Sequence, residues 1–266
     1  MRPHIKSYVI DVRALGNAYS TKLTPKGELL KFLARLYPVE SDTPLIRMGP
    51  AGDGGYLMPD DLHGIEACFS PGVNEVSGFE KDCADRGMKV FLADHSVDGP
   101  AAAHPLFHFT KKYVGVTTND VFMTVDDWVE ASLQDNTTDL LLQIDIEGFE
   151  YETFLAMSDK LMRRFRIIVA EFHDLDQFWS RPFFGVAARA FEKISQTHRC
   201  VHIHPNNCCR LVRCQGLYIP RVCEFTFWRK DRVHHPRFAR RFPHPLDADN
   251  TANPTLPLPE CWYSPA

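Results

Sequence analysis

Two apolar runs in this chain each end abruptly in ionisable side chains. The first run, LLLQI, is followed by Asp145 and Glu147, and the second run, IIVA, is followed by Glu171 and His173. Continuously apolar runs of this length are typical of buried parallel strands, which are covered on both faces. Ligands of open α/β sheets bind beyond the carboxyl ends of the strands. The acids and the histidine therefore predict a reaction site at one edge of a sheet.

Proton transfer is the chemistry that these side chains suit first. His173 is the best candidate for a general base, because an unperturbed imidazole titrates near pH ~6.5. The structural alternative is a histidine that hydrogen-bonds Asp174 or Glu171 at the strand end. Asp145 has little structural reason to follow a central strand. Glu147 could act in the reaction or could cap the next helix, whose N-terminus favours negative charge.

A metal site is the second kind of chemistry that the same residues allow. Asp145, Glu171 and His173 could hold a hard cation through oxygen and imidazole ligands. We favour a site without metal, because Phe172 separates Glu171 from His173 and should turn them to opposite faces of the strand. Zinc is also disfavoured in the cysteine- and histidine-rich stretch from Cys200 to Cys223, since paired C-x-x-C spacing is missing there.

A β-α-β unit precedes these strands and predicts a nucleotide-binding fold. Ile65–Ser70 is the expected first strand, a turn with Gly72 and a helix over Glu75–Arg86 follow, and Lys89–Ala93 is a strand that leads to Asp94. Glycine permits close backbone approach, a helix N-terminus offers free N–H groups, and an acid ~20 residues further on accepts ribose hydrogen bonds. The full G-x-G-x-x-G pattern is absent, which speaks weakly against a dinucleotide.

The remaining elements complete an α/β chain that we divide into three parts. Further helices are predicted from residue 124 to 133, 151 to 164 and 183 to 197, and closing strands from 199 to 204, 210 to 212 and 224 to 228. We predict an N-terminal helical lead-in over residues 1–45, a catalytic domain over 46–230 and a Pro/His/Arg-rich C-terminal tail over 231–266. The tail is expected to be extended and solvated.

Composition narrows the classes of protein that remain. Hydrophobic residues make up 44% of the chain and charged residues 24%, which is ordinary for a globular protein. A net charge of -4 argues against a general nucleic-acid binder. No apolar stretch reaches the ~20 residues that span a bilayer. Charged residues interrupt Met1–Ser20, so a signal-peptide core is not formed and we expect a cytoplasmic protein.

The chain resembles the FkbM family of S-adenosylmethionine-dependent methyltransferases from about residue 52 to residue 229. The similar segments are DGGY (53–56), SPGV (70–73) with Phe79-Glu80, IDIEGFE (144–150), VAEFH (169–173) and HIHPNN (202–207). The resemblance implies the class I methyltransferase fold, a Rossmann-like α/β sheet of seven strands with helices on both faces in a single domain. It also implies S-adenosyl-L-methionine as cofactor and methyl transfer to a hydroxyl oxygen, often on sugars or polyketides.

Roles for individual residues are implied by the same resemblance. The predicted cofactor-binding residues are Asp53, Gly55, Tyr56, Gly72, Glu80 and Asp94, with Asp94 on the ribose and the 53–56 segment folded over the cofactor. The predicted catalytic residues are Asp145, Glu147 and His173. The predicted acceptor-binding residues are Glu171, His204, Asn206 and Asn207. For His204, a half-solvated strand face explains its alternation with His202 equally well.

The sequence therefore predicts an O-methyltransferase that acts on a hydroxyl of a carbohydrate or related small acceptor. A nucleic-acid partner and a membrane span are not expected. Two alternatives from other classes remain. One is a catalytically inactive methyltransferase-like domain that serves as a binding module. The other is a nucleotide-sugar-binding oxidoreductase, which the missing glycines disfavour.

Overall fold

The computed structural model describes residues 21–73 and 76–265. The strands are β1 (Val39–Glu40), β2 (Leu45–Met48), β3 (Tyr56–Pro59), β4 (Ile65–Pro71), β5 (Lys89–Ala93), β6 (Phe107–Thr110), β7 (Tyr113–Val114), β8 (Phe122–Met123), β9 (Asp139–Ile144), β10 (Phe165–Phe172), β11 (His198–Pro205), β12 (Val212–Cys214), β13 (Leu217–Ile219), β14 (Cys223–Arg229) and β15 (Arg237–Phe238). The helices are α1 (Lys26–Leu33), α2 (Gly78–Asp85), α3 (Val125–Ser132), α4 (Glu150–Ala156), α5 (Asp159–Arg164) and α6 (Arg181–Thr197). Met1–Ser20, on which the expectation of a cytoplasmic chain depends, and Glu75, the expected start of a helix, lie outside the described residues.

A seven-stranded sheet forms the centre of the fold, in the order β11-β14-β10-β9-β4-β5-β6. The neighbours from β10 to β6 are parallel, while β14 runs antiparallel between β10 and β11. The two apolar runs form β9 and β10 in the middle of this sheet, and every residue of β10 is buried. Parallel strands with both faces covered need such runs. The predicted Rossmann-like sheet is confirmed.

Helices cover both faces of the sheet. Along β9, Leu140 and Leu142 pack into one apolar cluster together with α1, α3, α4 and α6. Leu141 points to the other face and packs into a second cluster with Phe79 of α2 and with the β2–β3 hairpin. This alternation follows from the two-residue period of a strand. None of the helices in the described ranges combines the length and apolar character needed to cross a membrane.

One local prediction was wrong, and one hairpin was not predicted. The helix expected from residue 151 to 164 is broken into α4 and α5, because Met157 has extended backbone and Ser158 begins a new helix. The Ser158 hydroxyl accepts a hydrogen bond from the backbone N–H of Leu161 at 3.1 Å, which is a typical N-cap. The hairpin of β2 and β3, which frames the glycine-rich loop over residues 49–55, was not expected.

The C-terminal residues pack onto the domain, whereas the sequence predicts a solvated tail. Leu258, Cys261 and Trp262 belong to the first apolar cluster, and Trp262 is fully buried. The arginines at 237, 240 and 241 are exposed. A few apolar anchors in a Pro-rich segment lack the periodicity that identifies a packed element, so they were not apparent in the sequence.

Candidate active site

The turn after β4 lies directly against the backbone at the end of β9. Gly72 has a φ of +90°, and a Cβ atom there would lie 1.6 Å from the carbonyl oxygen of Asp145. Its backbone N–H donates to the carbonyl of Ala93 at the end of β5, at 3.1 Å. Only glycine tolerates both the left-handed backbone and this approach. Gly72 therefore brings the ends of β4, β5 and β9 together at one edge.

A cavity of about 540 Å³ opens at this edge. Its lining is Gly72, Val73, Ala93, Asp94, Ser96, Tyr113, Val114, Phe122, Asp145, Ile146, Glu147 and Phe149. Asp94 is held in place within it. One carboxylate oxygen accepts from the backbone N–H and the hydroxyl of Ser96 at 2.7 and 2.6 Å, and the other accepts from the N–H of Val73 at 3.2 Å. The carboxylate thus has a fixed position in the cavity wall.

Two aromatic residues of this cavity were not predicted from the sequence. Tyr113 and Phe122 lie on the short paired strands β7 and β8, with ring centroids 5.6 Å apart. Each is 38% exposed and counts among the exposed large apolar side chains of the described residues. Strands of two residues have no detectable period, so the sequence carried no signal for their placement.

Carboxylates that follow β9, together with one on β10, surround the imidazole of His173. Its Nε2 atom lies 3.5 Å from Glu147, 3.7 Å from Glu171 and 3.9 Å from Asp145. Glu147 has a positive φ of 57° and a side chain that is 87% exposed, so it stands at the rim. Glu171 is buried and accepts a hydrogen bond from Asn206 at 3.2 Å. The three predicted catalytic residues are therefore brought together, with Glu171 beside them.

Glu150 orients this histidine, and sequence analysis missed its role. It is fully buried, and one oxygen accepts from the backbone N–H groups of Ile146 and Gly148 at 3.0 and 3.2 Å. The same oxygen lies 3.3 Å from Nδ1 of His173. With Nδ1–H donating to Glu150, Nε2 is the ring nitrogen that gains or loses a proton. The third acid of the IDIEGFE segment was the available signal.

A second cavity of about 440 Å³ lies on the other side of Asp145. Its lining is Asp53, Asp145, Glu147, Glu171, His173, Asp174, Asn206, Cys208, Cys209, Arg221, Val222, Asn250 and Thr251. Asp145 and Glu147 line both cavities. The second cavity is lined mainly by polar side chains, among which carboxylates predominate. The two cavities therefore meet at the end of β9.

Burial and crowding of acids change the proton affinities in the second cavity. Burial raises the pKa of Asp145 to about 7, and the charges of Glu150, Glu147 and Asp53 add to this effect against the opposing charge of His173. Burial also raises the pKa of Glu171. For His173, burial lowers the pKa, but Glu150 and the other acids outweigh burial and raise it above its ordinary value. Asp145 can therefore gain or lose a proton near neutral pH.

Three of the predicted cofactor-binding residues are packed into the scaffold. Ser70 Oγ lies 2.7 Å from Glu80 and 2.6 Å from the side-chain oxygen of Gln143, whose Nε2 donates to the hydroxyl of Tyr56 at 3.3 Å. Burial raises the pKa of Glu80, and the hydrogen bond that the Ser70 hydroxyl donates to this carboxyl group opposes the rise. Gly55 is buried, and a Cβ atom there would lie 2.0 Å from the carbonyl oxygen of residue 50.

The other predicted binding residues are divided between the second cavity and the scaffold. Asp53 lines the second cavity, as do Glu171 and Asn206, whereas Gly72 and Asp94 line the first. His204 is buried, with Nδ1 3.6 Å from Asp247. Asn207 donates to the carbonyl groups of residues 251 and 253. These last two side chains contact the C-terminal segment.

The expectation that Glu171 and His173 point to opposite faces was wrong. Residues two apart along a strand share a face, and their side chains lie 3.7 Å apart. With Asp145 they offer ligand atoms that all lie within 4.8 Å of one another. Ligands of one hard cation, at ~2.0–2.6 Å from the ion, have such mutual separations. The geometry therefore admits a divalent cation as well as direct proton transfer.

Comparisons with known proteins place this site in context. Residues 64–199 match the family model described as methyltransferase FkbM domain. Among solved structures, the N-methyltransferase NodS from Bradyrhizobium japonicum WM9 is similar at 11% identity and a TM-score of 0.35, covering 77% of this chain and 96% of NodS. A putative methyltransferase from an antibiotic biosynthesis pathway of Anabaena variabilis is similar at 13% identity and a TM-score of 0.30, covering 70% of this chain and 67% of that protein.

A third solved structure, EvdMO1, is similar at 14% identity and a TM-score of 0.28, over 80% of this chain and 49% of EvdMO1. No curated protein matches the chain at a significant level.

Proposed function

Because the chain belongs to the FkbM methyltransferase family, we propose that it transfers the methyl group of S-adenosylmethionine to a hydroxyl of a carbohydrate or related small acceptor. The observation that carries this proposal is the pair of cavities that meet at Asp145. Methyl transfer needs one site for the methyl donor and one for the acceptor, with a shared boundary at which the reacting atoms meet. The end of β9 supplies that boundary.

The first cavity has the properties required of the cofactor site. Because Gly72 has no side chain, a ligand can approach the backbone of the turn after β4 closely. Asp94 presents a fixed carboxylate that can accept hydrogen bonds from ribose hydroxyls. Tyr113 and Phe122 offer half-exposed rings on which an adenine can stack. Bound there, S-adenosylmethionine supplies an electrophilic methyl group.

His173 is the residue that we propose to take the proton from the acceptor hydroxyl. Glu150 holds Nδ1 and leaves Nε2 facing the carboxylates of the second cavity. This is the arrangement by which a buried acid fixes the tautomer of a catalytic histidine. Asp145, with a pKa of about 7, stabilises the imidazolium that forms. Glu147 at the rim lies within 3.5 Å of the same ring nitrogen.

A cation held by Asp145, Glu171 and His173 is the alternative mechanism. It would bind and acidify the acceptor hydroxyl, so that no separate base is needed. The ligand separations fit this alternative, because the side chains of Glu171 and His173 lie on the same face of the strand. Removal of divalent metal distinguishes the two mechanisms.

The polar lining of the second cavity supports a hydroxyl-rich acceptor. Asn206, Asn250 and Thr251 add amide and hydroxyl groups to the carboxylates. Such a lining matches the hydrogen-bonding groups of a sugar better than those of an apolar acceptor.

The test is transfer of tritiated methyl from S-adenosylmethionine to a panel of methyl glycosides, with release of S-adenosylhomocysteine as the second readout. Wild-type protein is compared with Asp145→Asn and with Asp159→Asn, a matched change at an exposed aspartate on α5. We expect transfer by wild type and by Asp159→Asn, and at least ~10²-fold less by Asp145→Asn. Cofactor binding without any transfer would favour the binding-module alternative. Binding of NAD instead would favour the oxidoreductase.

A further inference from the structure

A C-terminal segment, from Asp247 to Asn253, forms part of the wall of the second cavity. Asn250 and Thr251 line the cavity together with Asp145 and His173, although they lie far outside the matched residues 64–199. We infer that this segment is an acceptor-binding wall, in which Asn250 accepts a hydrogen bond from a second hydroxyl of a polyhydroxylated acceptor. The inference rests on the proposed function and narrows its class of acceptor.

Buried side chains of the domain anchor the segment at both ends. Asp247 lies 2.8 Å from Nε2 of His202 and 3.6 Å from Nδ1 of His204, both of which lie on β11. At the other end, the side chain of Asn207 accepts from the N–H of Thr251 at 2.8 Å and donates to the carbonyl of Asn253 at 2.8 Å. With both ends held by buried groups, residues 248–252 have a defined position over the cavity.

The amide of Asn250 has a defined orientation. Its Nδ2 donates to Glu224 at 2.7 Å and to Asp53 at 3.3 Å. The reverse orientation would place the amide oxygen against two carboxyl groups, so the nitrogen faces the acids. The amide oxygen of Asn250 is buried and has no hydrogen-bond partner among the described residues. A buried acceptor without a partner is costly, which makes it a point at which a ligand donor stabilises the complex.

The chemistry of the ligand follows from the type of unsatisfied groups in the cavity wall. A carboxylate oxygen of Asp145 is also buried and without a partner in the described part of the chain. The amide oxygen accepts hydrogen bonds, and so does the Asp145 carboxylate when it is ionised, so a ligand that matches both atoms carries at least two donors. A sugar with neighbouring hydroxyls meets this requirement: one hydroxyl is methylated beside Asp145, and another donates to Asn250. An acceptor with a single hydroxyl leaves Asn250 unsatisfied.

The test combines a protein variant with ligands that lack one hydroxyl. Methyl glycosides of glucose, galactose, mannose and rhamnose and their monodeoxy analogues are compared on wild type, Asn250→Ala and Thr255→Val. Thr255 is exposed and, among the described residues, its side chain bonds only Asp249, so its loss is a matched control in the same part of the chain. Binding is measured by saturation-transfer NMR, and kcat/KM by methyl transfer.

We expect one monodeoxy analogue to lose about 5- to 150-fold in kcat/KM on wild type, as for a buried hydrogen bond. Asn250→Ala should lose a similar factor on the parent glycoside and nothing further on that analogue, while Thr255→Val behaves as wild type. If Asn250 were merely structural, the loss from Asn250→Ala and the loss from the missing hydroxyl would multiply. This result would overturn the inference. So would a wild type that binds none of the glycosides.

Failure of the proposed function has a different signature. Glycoside binding that depends on Asn250, in a protein that releases no S-adenosylhomocysteine, would refute methyl transfer and leave the acceptor-binding wall standing. Methyl transfer to a glycoside with unchanged kinetics in Asn250→Ala would refute the wall and leave the function standing.

Discussion

Replacing Asp145 with asparagine should make the protein more stable at alkaline pH while it removes activity. Asp145 is largely buried, with a side chain 27% exposed, and one of its oxygens has no hydrogen-bond partner among the described residues. Burial raises its pKa from 3.8 to about 7, so the folded protein resists the negative charge that the reaction requires. Asparagine has nearly the same shape and carries no charge.

The magnitude follows from the shift in pKa. The folded-state pKa lies above the unfolded value, so the folded state holds the proton more tightly and stability from this group is lost as pH rises from about 4 to about 7. One pKa unit corresponds to ~1.4 kcal/mol, which makes the full cost about 4 kcal/mol above pH ~7. The variant escapes this cost, so its advantage should grow by about 3 kcal/mol between pH ~5 and pH ~8.

The assay is urea denaturation of wild type, Asp145→Asn and the control Asp159→Asn at both pH values, with and without EDTA. We expect Asp145→Asn to gain free energy of unfolding at the higher pH, and Asp159→Asn to show no such pH dependence. A variant that is less stable than wild type at the higher pH, or a gain that is the same at both pH values, would refute the argument that Asp145 carries a costly buried charge.

Three further predictions concern the same edge of the sheet. His173→Ala should lower the methyl-transfer rate by ~10²–10⁴-fold and leave the cofactor affinity, measured by calorimetry, unchanged. The wild-type rate should rise with pH through a midpoint above the ordinary pKa of histidine, because the neighbouring acids raise the pKa of His173 and a base must be unprotonated. Near-normal turnover of the variant from pH ~6 to ~9 would speak against His173 as the base. Gly72→Ala should lower the free energy of unfolding in urea by at least ~2 kcal/mol, because Gly72 has a φ of +90° and the carbonyl of Asp145 lies close to it. Gly27→Ala is the control and should be near neutral, because the space around Gly27 is open. Equal effects of the two changes would contradict the steric explanation. Activity after exhaustive EDTA treatment should persist if His173 takes the proton, and loss that magnesium restores would establish the cation mechanism.

The parts of the fold that depend on long apolar runs could be predicted from the sequence. The runs that form β9 and β10 can be buried only in the middle of a covered sheet, and the ionisable residues behind them then must meet at its edge. Asp145, Glu171 and His173 were found in this way. The prediction that Glu171 and His173 point to opposite faces was wrong, because residues two apart along a strand share a face and only adjacent residues alternate.

Other parts of the site depend on long-range contacts that no local pattern reports. Glu150 binds the turn before it and the ring of His173 on the next strand, and only the fold shows that one oxygen serves both. His204 and Asn207, which were predicted to bind the acceptor, contact the C-terminal segment at Asp247 and Asn253. Asn250 reaches the second cavity from a Pro-rich stretch in which neither helix nor strand period exists.

Calorimetric titration with S-adenosylmethionine tests the central claim most directly, namely that the first cavity binds this cofactor through Asp94. We expect wild type to bind S-adenosylmethionine and not NAD, and Asp94→Ala to bind it about 5- to 150-fold more weakly, as for lost charge-assisted hydrogen bonds. Asp98→Ala is the matched control, since Asp98 lies in the same loop with a side chain that is 96% exposed, and it should bind as wild type does. Wild-type affinity in Asp94→Ala, or binding of NAD in place of S-adenosylmethionine, would contradict the assignment of this cavity.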